Sequence, residues 1–147
     1  MANKSETTLI LKRTFNAPRE KVFQAWTNPE MLKEWFHGGD DWTTPIQEVD
    51  LQVGGKFRLG MQPPDAEAPY VAYGTYREVQ PPEKLVYTWD WEGQDPLDTL
   101  VTVVFREVGD STEVELTHER FPNPETRDQH REGWIGCMDQ LDKSFLS

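Results

Sequence analysis

The chain has 147 residues, with 15 Lys and Arg against 26 Asp and Glu, for a net charge of -11. Such a surface repels phosphate backbones and anionic headgroups, which makes nucleic acid and membrane surfaces unsuited as partners. Six Trp, seven Phe and four Tyr supply a core despite a hydrophobic content of only 36%, and the length suits one domain over residues 1–147.

The single cysteine, Cys137, rules out an internal disulfide framework or a cysteine metal cluster. The start, Met1 to Thr8, lacks the apolar stretch of a signal peptide, and no apolar run reaches membrane-spanning length. A soluble cytoplasmic protein is expected.

The first expected strand runs from Thr7 to Phe15, with Leu9, Leu11 and Arg13 alternating against Ile10 and Lys12. Pro18 suits the first position of a short helix striped by Val22, Phe23 and Trp26. Asn28 then caps a second short helix, with Pro29 at its first position and Leu32, Trp35 and Phe36 as its stripe. His37-Gly38-Gly39 stops it.

Hairpins follow. Thr44 to Gln52 turns at Gly54-Gly55 into Lys56 to Met61, where Phe57, Leu59 and Met61 share a face. A loop rich in Pro and acid, Gln62 to Pro69, precedes a strand from Tyr70 to Gln80, where Gly74 leaves the parity of Tyr73 and Tyr76 open. Pro81-Pro82-Glu83-Lys84 is a turn, after which Leu85, Tyr87, Trp89 and Trp91 alternate. Asp98 to Val108 and Ser111 to Glu119 form a last hairpin around Gly109-Asp110, with Val101, Val103 and Phe105 on one face. Val114, Leu116 and His118 share a face of the final strand.

Asn123-Pro124-Glu125 opens a long helix on which Trp134, Met138, Leu141 and Phe145 fall on one side beside Cys137. Such a helix needs a sheet to cover. The order is strand, two helices, six strands, helix: an α+β chain with a mostly sequential antiparallel sheet that curls around the last helix.

Several segments in this order resemble a known family. Val49-Asp50-Leu51-Gln52-Val53-Gly54-Gly55-Lys56-Phe57 is similar to a signature of the START-like (SRPBCC) superfamily, in the family of homologues of the activator of heat-shock protein 90 ATPase. Gly74-Thr75-Tyr76-Arg77-Glu78-Val79, then Pro81 to Trp89, resembles its central hairpin. Thr117-His118-Glu119, Phe121 and Gly133-Trp134 with Leu141 resemble its closing strand and helix. The resemblance runs from about Thr8 to Phe145. It implies a helix-grip (START/Bet v-like) fold, a curved sheet of about seven strands around a long C-terminal helix, enclosing a cavity for hydrophobic small molecules. Fold alone does not fix activity.

Catalytic patterns are sparse. There is no Gly-x-Ser-x-Gly elbow, and Cys137 falls on the apolar side of its helix as a small core residue. His37, His118 and His130 lie on three elements without metal-ligand spacing and read as solitary, so neither metal nor cofactor is expected. Asp40-Asp41, Asp139 and Asp142 read as solvated surface. Gly54-Gly55 serves a turn and not a phosphate cradle, because no helix follows it.

What remains is a pocket between sheet and last helix. Its expected lining is Trp35, Phe57, Met61, Tyr87, Trp89, His118, Phe121, Trp134 and Met138, with tight core packing by the same aromatics as the alternative. His118 should point inward. The preferred role is a structural hydrogen bond to the start of the last helix or to the Phe121 loop; the other is to orient a ligand or act as acid or base.

The leading function is a binding protein for a hydrophobic or aromatic small molecule. One alternative is a cyclase- or hydrolase-like enzyme, which needs a second inward polar group such as Glu48, Asp50 or Arg58. The other is a co-chaperone or stress-related domain that binds a protein partner, as monomer or homodimer.

Overall fold

A computed structural model describes residues 6–146, with side chains through Ser144. The start at Met1 to Ser5 and the side chain of Phe145, expected on the apolar side of the last helix, therefore lie outside the described residues. The elements are β1 (Leu9–Phe15), α1 (Arg19–Thr27), α2 (Pro29–Trp35), β2 (Thr43–Val49), β3 (Lys56–Gln62), β4 (Tyr70–Gln80), β5 (Lys84–Trp91), β6 (Thr99–Val108), β7 (Ser111–Glu119) and α3 (Pro124–Leu141). A short π-helical turn, Asp142–Leu146, extends α3.

One antiparallel sheet carries all seven strands in the order β1-β7-β6-β5-β4-β3-β2. The chain leaves one edge after β1, crosses through α1 and α2, and enters the opposite edge as β2. From there it meanders back strand by strand to lie beside β1. The sheet curls as a half-barrel and α3 packs across it, giving the expected helix-grip α+β fold.

The expected faces hold. Phe57 and Leu59 on β3, Val101, Val103 and Phe105 on β6, and Val114, Leu116 and His118 on β7 are all buried. From α3, Trp134, Cys137, Met138 and Leu141 are buried with them. Each such apolar side chain contributes roughly 1.5–3 kcal/mol of transfer free energy. Both Asn caps also form: Asn28 accepts from the Glu30 N–H at 2.9 Å, and Asn123 from the Thr126 N–H at 2.8 Å.

Some boundaries differ, each for a local reason. Pro18 is extended at φ -67° and ψ 154°, so it is the N-cap and α1 starts at Arg19. β2 stops at Val49 because Asp50 to Gly55 turn on their own bonds, Gln52 N to Asp50 O and Gly55 N to Gln52 O. Asp98 has a left-handed φ of 56°, which a strand residue does not adopt, so β6 starts at Thr99.

The open question in β4 is settled by register. The irregularity falls between Tyr76 and Glu78, so Ala72, Gly74 and Tyr76 share the inner face and Tyr73 faces out. Gly74 is required there: a Cβ would lie 1.9 Å from the Thr88 carbonyl oxygen and 2.8 Å from the Phe57 ring. Glycine also lets α3 approach the segment after α2, since a Cβ on Gly136 would meet the Gly38 carbonyl oxygen at 2.8 Å.

Candidate ligand pocket

The space under the middle of α3 is filled. Trp26 stacks on Trp134 with centroids 6.4 Å apart and lies 4.8 Å from Trp35, while Phe36 meets both Trp89 and Trp134 at 6.0 Å. Two indole donors inside this cluster find partners: Trp35 Nε1 donates to the Ala25 carbonyl at 2.8 Å, and Trp26 Nε1 to the Tyr87 hydroxyl at 3.3 Å. Burial pushes the Tyr76 and Tyr87 hydroxyls upward in pKa, which keeps both neutral. Only about 10 Å3 stays open among Trp26, Leu32, Phe36, Phe57, Tyr76 and Tyr87.

A larger cavity, about 440 Å3, opens beside this packed region at the N-terminal part of α3. Buried Phe36, Trp89, Trp134 and Cys137 form its floor. Half-buried Trp42, Met61, Trp91 and His130 form its walls. Gln94 and Leu97 from the β5–β6 loop, with Gln129 and Gly133 from α3, stand at the rim. The rim loop is fixed from below: the Asp90 carboxylate accepts from the Leu97 and Asp98 N–H groups at 2.6 and 3.1 Å. Among the described residues, no Lys, Arg, Asp or Glu lines the cavity.

Of the nine residues expected from sequence, Met61, Trp89 and Trp134 line this cavity. Phe57 and Tyr87 border the small remnant, and Trp35, His118, Phe121 and Met138 belong to the packed core. Phe36, Trp42, Trp91, Gln129 and His130 were not expected as lining. The α3 members had a readable signal: Thr126, Gln129, His130, Gly133, Trp134 and Cys137 follow the 3–4 spacing of one helical face, extended backward from Trp134 through polar residues.

His118 is held by three bonds in series. Trp134 Nε1 donates to His118 Nδ1 at 3.1 Å. An indole N–H only donates, so His118 carries its proton on Nε2 and gives it to Thr99 Oγ1 at 2.9 Å. Thr99 Oγ1 in turn donates to the Trp89 carbonyl at 2.5 Å. The partners are thus the Trp134 indole of α3 and a β6 threonine, not the Phe121 loop, although the Phe121 ring lies tilted against the imidazole with centroids 4.4 Å apart. Burial, with a smaller contribution from His130, holds the His118 pKa well below the ordinary histidine value.

Two of the three histidines are not solitary. His118 and His130 sit 5.3 Å apart edge to face. His130 Nε2 accepts from Trp91 Nε1 at 2.9 Å, which leaves its proton on Nδ1 for the Thr126 carbonyl at 2.9 Å. Its pKa is also lowered by burial. Both rings are neutral hydrogen-bond relays that tie α3 to β5, β6 and β7.

The other polar candidates have structural partners. Arg58 bonds Glu48 at 2.6 Å and Glu92 at 2.6 Å at the exposed surface, so this pair does not reach His118. Asp139 and Asp142 are not merely solvated: Arg13 on β1 bonds them at 2.6 and 3.5 Å and ties α3 to the sheet edge. Asp40 accepts from Gln140 and Lys143 at 2.7 and 2.9 Å, which lowers its pKa. Burial pushes the Cys137 thiol up to about 12, far from the thiolate that nucleophilic chemistry needs. One buried donor among the floor residues, Trp89 Nε1, has no hydrogen-bond partner and is sealed from the cavity by its neighbours.

A curled antiparallel sheet closed on one long helix, with an aromatic cavity beside the helix's first turns, defines a helix-grip domain. The chain belongs to the family of Activator of Hsp90 ATPase homolog 1-like proteins, whose family model matches residues 16–145. Among solved structures it is similar to a protein of Nitrosomonas europaea at 26% identity and TM-score 0.79, covering 97% of this chain and 96% of that one. An AHSA1-like protein from Aeromonas hydrophila is 25% identical with TM-score 0.78, covering 92% and 90%. A Chromobacterium violaceum protein shares the fold at TM-score 0.84 and 23% identity, covering 93% and 95%. No curated protein matches the sequence. No helix among the described residues is long and apolar enough to cross a membrane.

Proposed function

We propose that this chain binds a small apolar or aromatic molecule in the cavity between β5, the loop after α2 and the first turns of α3. One observation carries this reading. Beside an aromatic core that keeps only about 10 Å3 open, a space of about 440 Å3 is floored by aromatic rings and rimmed by two amides. Small-molecule sites have volumes of roughly 300–1,000 Å3, apolar walls and a few polar groups that orient the ligand. Gln94 and Gln129 are those groups here.

Gly133 allows a clean test. It lines the cavity from α3, and a Cβ added there meets nothing within 4 Å. Gly133→Leu places a side chain in the open space and raises helix propensity by about 0.5–1 kcal/mol. The expected result is a folded, slightly stabilised protein that no longer binds. Binding is followed by tryptophan fluorescence against a library of apolar and aromatic compounds, since Trp42, Trp89, Trp91 and Trp134 line the space. A library without a ligand, or equal binding to Gly133→Leu, would sink the proposal.

A further inference from the structure

The cavity's chemistry selects by charge, and we infer that its ligand is an organic cation, an ammonium on an apolar or aromatic body, held against the tryptophan walls. This inference rests on the binding reading above and narrows it to one ligand class.

Three observations lead there. The first is the wall material. Four indoles, Trp42, Trp89, Trp91 and Trp134, and the Phe36 ring line one space. Trp89 and Trp91 meet at 88° with centroids 5.5 Å apart, and Trp89 and Trp134 at 45° and 5.1 Å, so the rings form a corner and not a flat stack. Indole is the aromatic face that attracts a cation most strongly, and the attraction grows when water is excluded.

The second is what the lining lacks for an anion. Among the described residues it holds no Lys or Arg. His130 is the one wall group that could gain a charge. Its Nε2 is committed to the Trp91 indole and its Nδ1 proton to Thr126, so it offers an anion no donor. A fatty-acid or other carboxylate head would lose its water here without a counter-charge, which is costly.

The third is the field around the mouth. Exposed Asp41 adjoins Trp42, exposed Asp95 and Asp98 flank Gln94 and Leu97, and exposed Glu132 adjoins Gly133. The nearby cations of α3 are Arg127, bonded to Asp128 at 3.0 Å, and Arg131. The whole chain carries a net charge of -11. A cleft with low-dielectric walls and a negative surround concentrates cations and repels anions.

Two probes of the same shape separate charge from hydrophobicity: phenyltrimethylammonium and tert-butylbenzene, which differ by nitrogen for carbon. Phenylacetate is the anionic control. Titrated into the full chain at low ionic strength, the ammonium is expected to bind about 30-fold more tightly than its neutral isostere, and phenylacetate not measurably. Trp42→Leu, which keeps an apolar wall but removes one ring, should cost the ammonium several-fold and the isostere little. Gly133→Leu should abolish both.

Equal or tighter binding of tert-butylbenzene that Gly133→Leu removes would overturn the cation inference and leave the binding reading standing. Saturable binding of phenylacetate would overturn it too. Failure of the ammonium to bind the wild-type chain overturns it as well; if no library compound binds either, the binding reading falls with it.

Discussion

His118 shows how a side chain that looks catalytic becomes structural through its partners. It is fully buried, accepts a hydrogen bond from one group and donates one to another, and stands between α3 and the inner face of β6. Truncation to Ala leaves the buried Trp134 indole N–H without an acceptor and opens a void among Phe121, Trp89 and His130. Those two effects together amount to about 2–4 kcal/mol. Chemical denaturation of His118→Ala should show a loss of that size, and a change below about 1 kcal/mol would mean that the relay does not hold the helix. Cys137 is the parallel case, since its raised thiol pKa follows from burial alone and marks it as packing.

At the scale of elements, α3 does two tasks with two overlapping stripes. Trp134, Met138 and Leu141 close the core, while Thr126, Gln129, His130 and Gly133 extend the face beyond the sheet's packed centre and border the cavity. The core stripe was legible because large apolar residues recur at 3–4 spacing. The strand faces were legible for a similar reason, down to the inward turn of His118 after Val114 and Leu116. The cavity stripe was legible only as 3–4 spacing backward from Trp134, because its residues are polar or small and hydropathy alone assigns them to solvent. Gln94 and Leu97 had no periodic signal at all; they reach the rim because Asp90 caps their loop through tertiary placement. Nor could spacing show that Trp35, Tyr87 and Met138 fill space while Trp91 and Trp42 border it, since that depends on how α1 and α2 press against α3. The start of α3 is the element's own weak point. Asn123 provides a side-chain acceptor for its first turn, so Asn123→Ala should cost about 1 kcal/mol in a denaturant midpoint series. An unchanged midpoint would show that Pro124 and packing alone fix the helix start.

For the whole molecule, two electrostatic tendencies oppose each other as pH falls. Protonating carboxylates relieves the self-repulsion of a chain at net -11, which favours the compact state. The histidines act the other way. His37, His118 and His130 all have folded-state pKa values lowered, with burial the largest cause for each. Below the ordinary histidine pKa the unfolded chain binds protons that the folded chain refuses, so stability is present above about pH 6.5 and drains away as pH drops. The slope is up to about 1.4 kcal/mol per pH unit for each histidine in this state. The lowered carboxylates, Asp40, Glu92 and Asp128, follow the same sign but act only in the carboxylate range further down. Surface repulsion is screened over about 8 Å at physiological salt, whereas a buried imidazole is not. The histidines should therefore win between about pH 7.5 and 5.5: Tm falls across that interval, and fastest below pH 6.5. A flat or rising Tm there would mean that relief of the acidic surface dominates. His118→Gln separates the two, because it removes the most strongly shifted imidazole while leaving the net charge at neutral pH unchanged; its Tm should start lower and decline less steeply with acid.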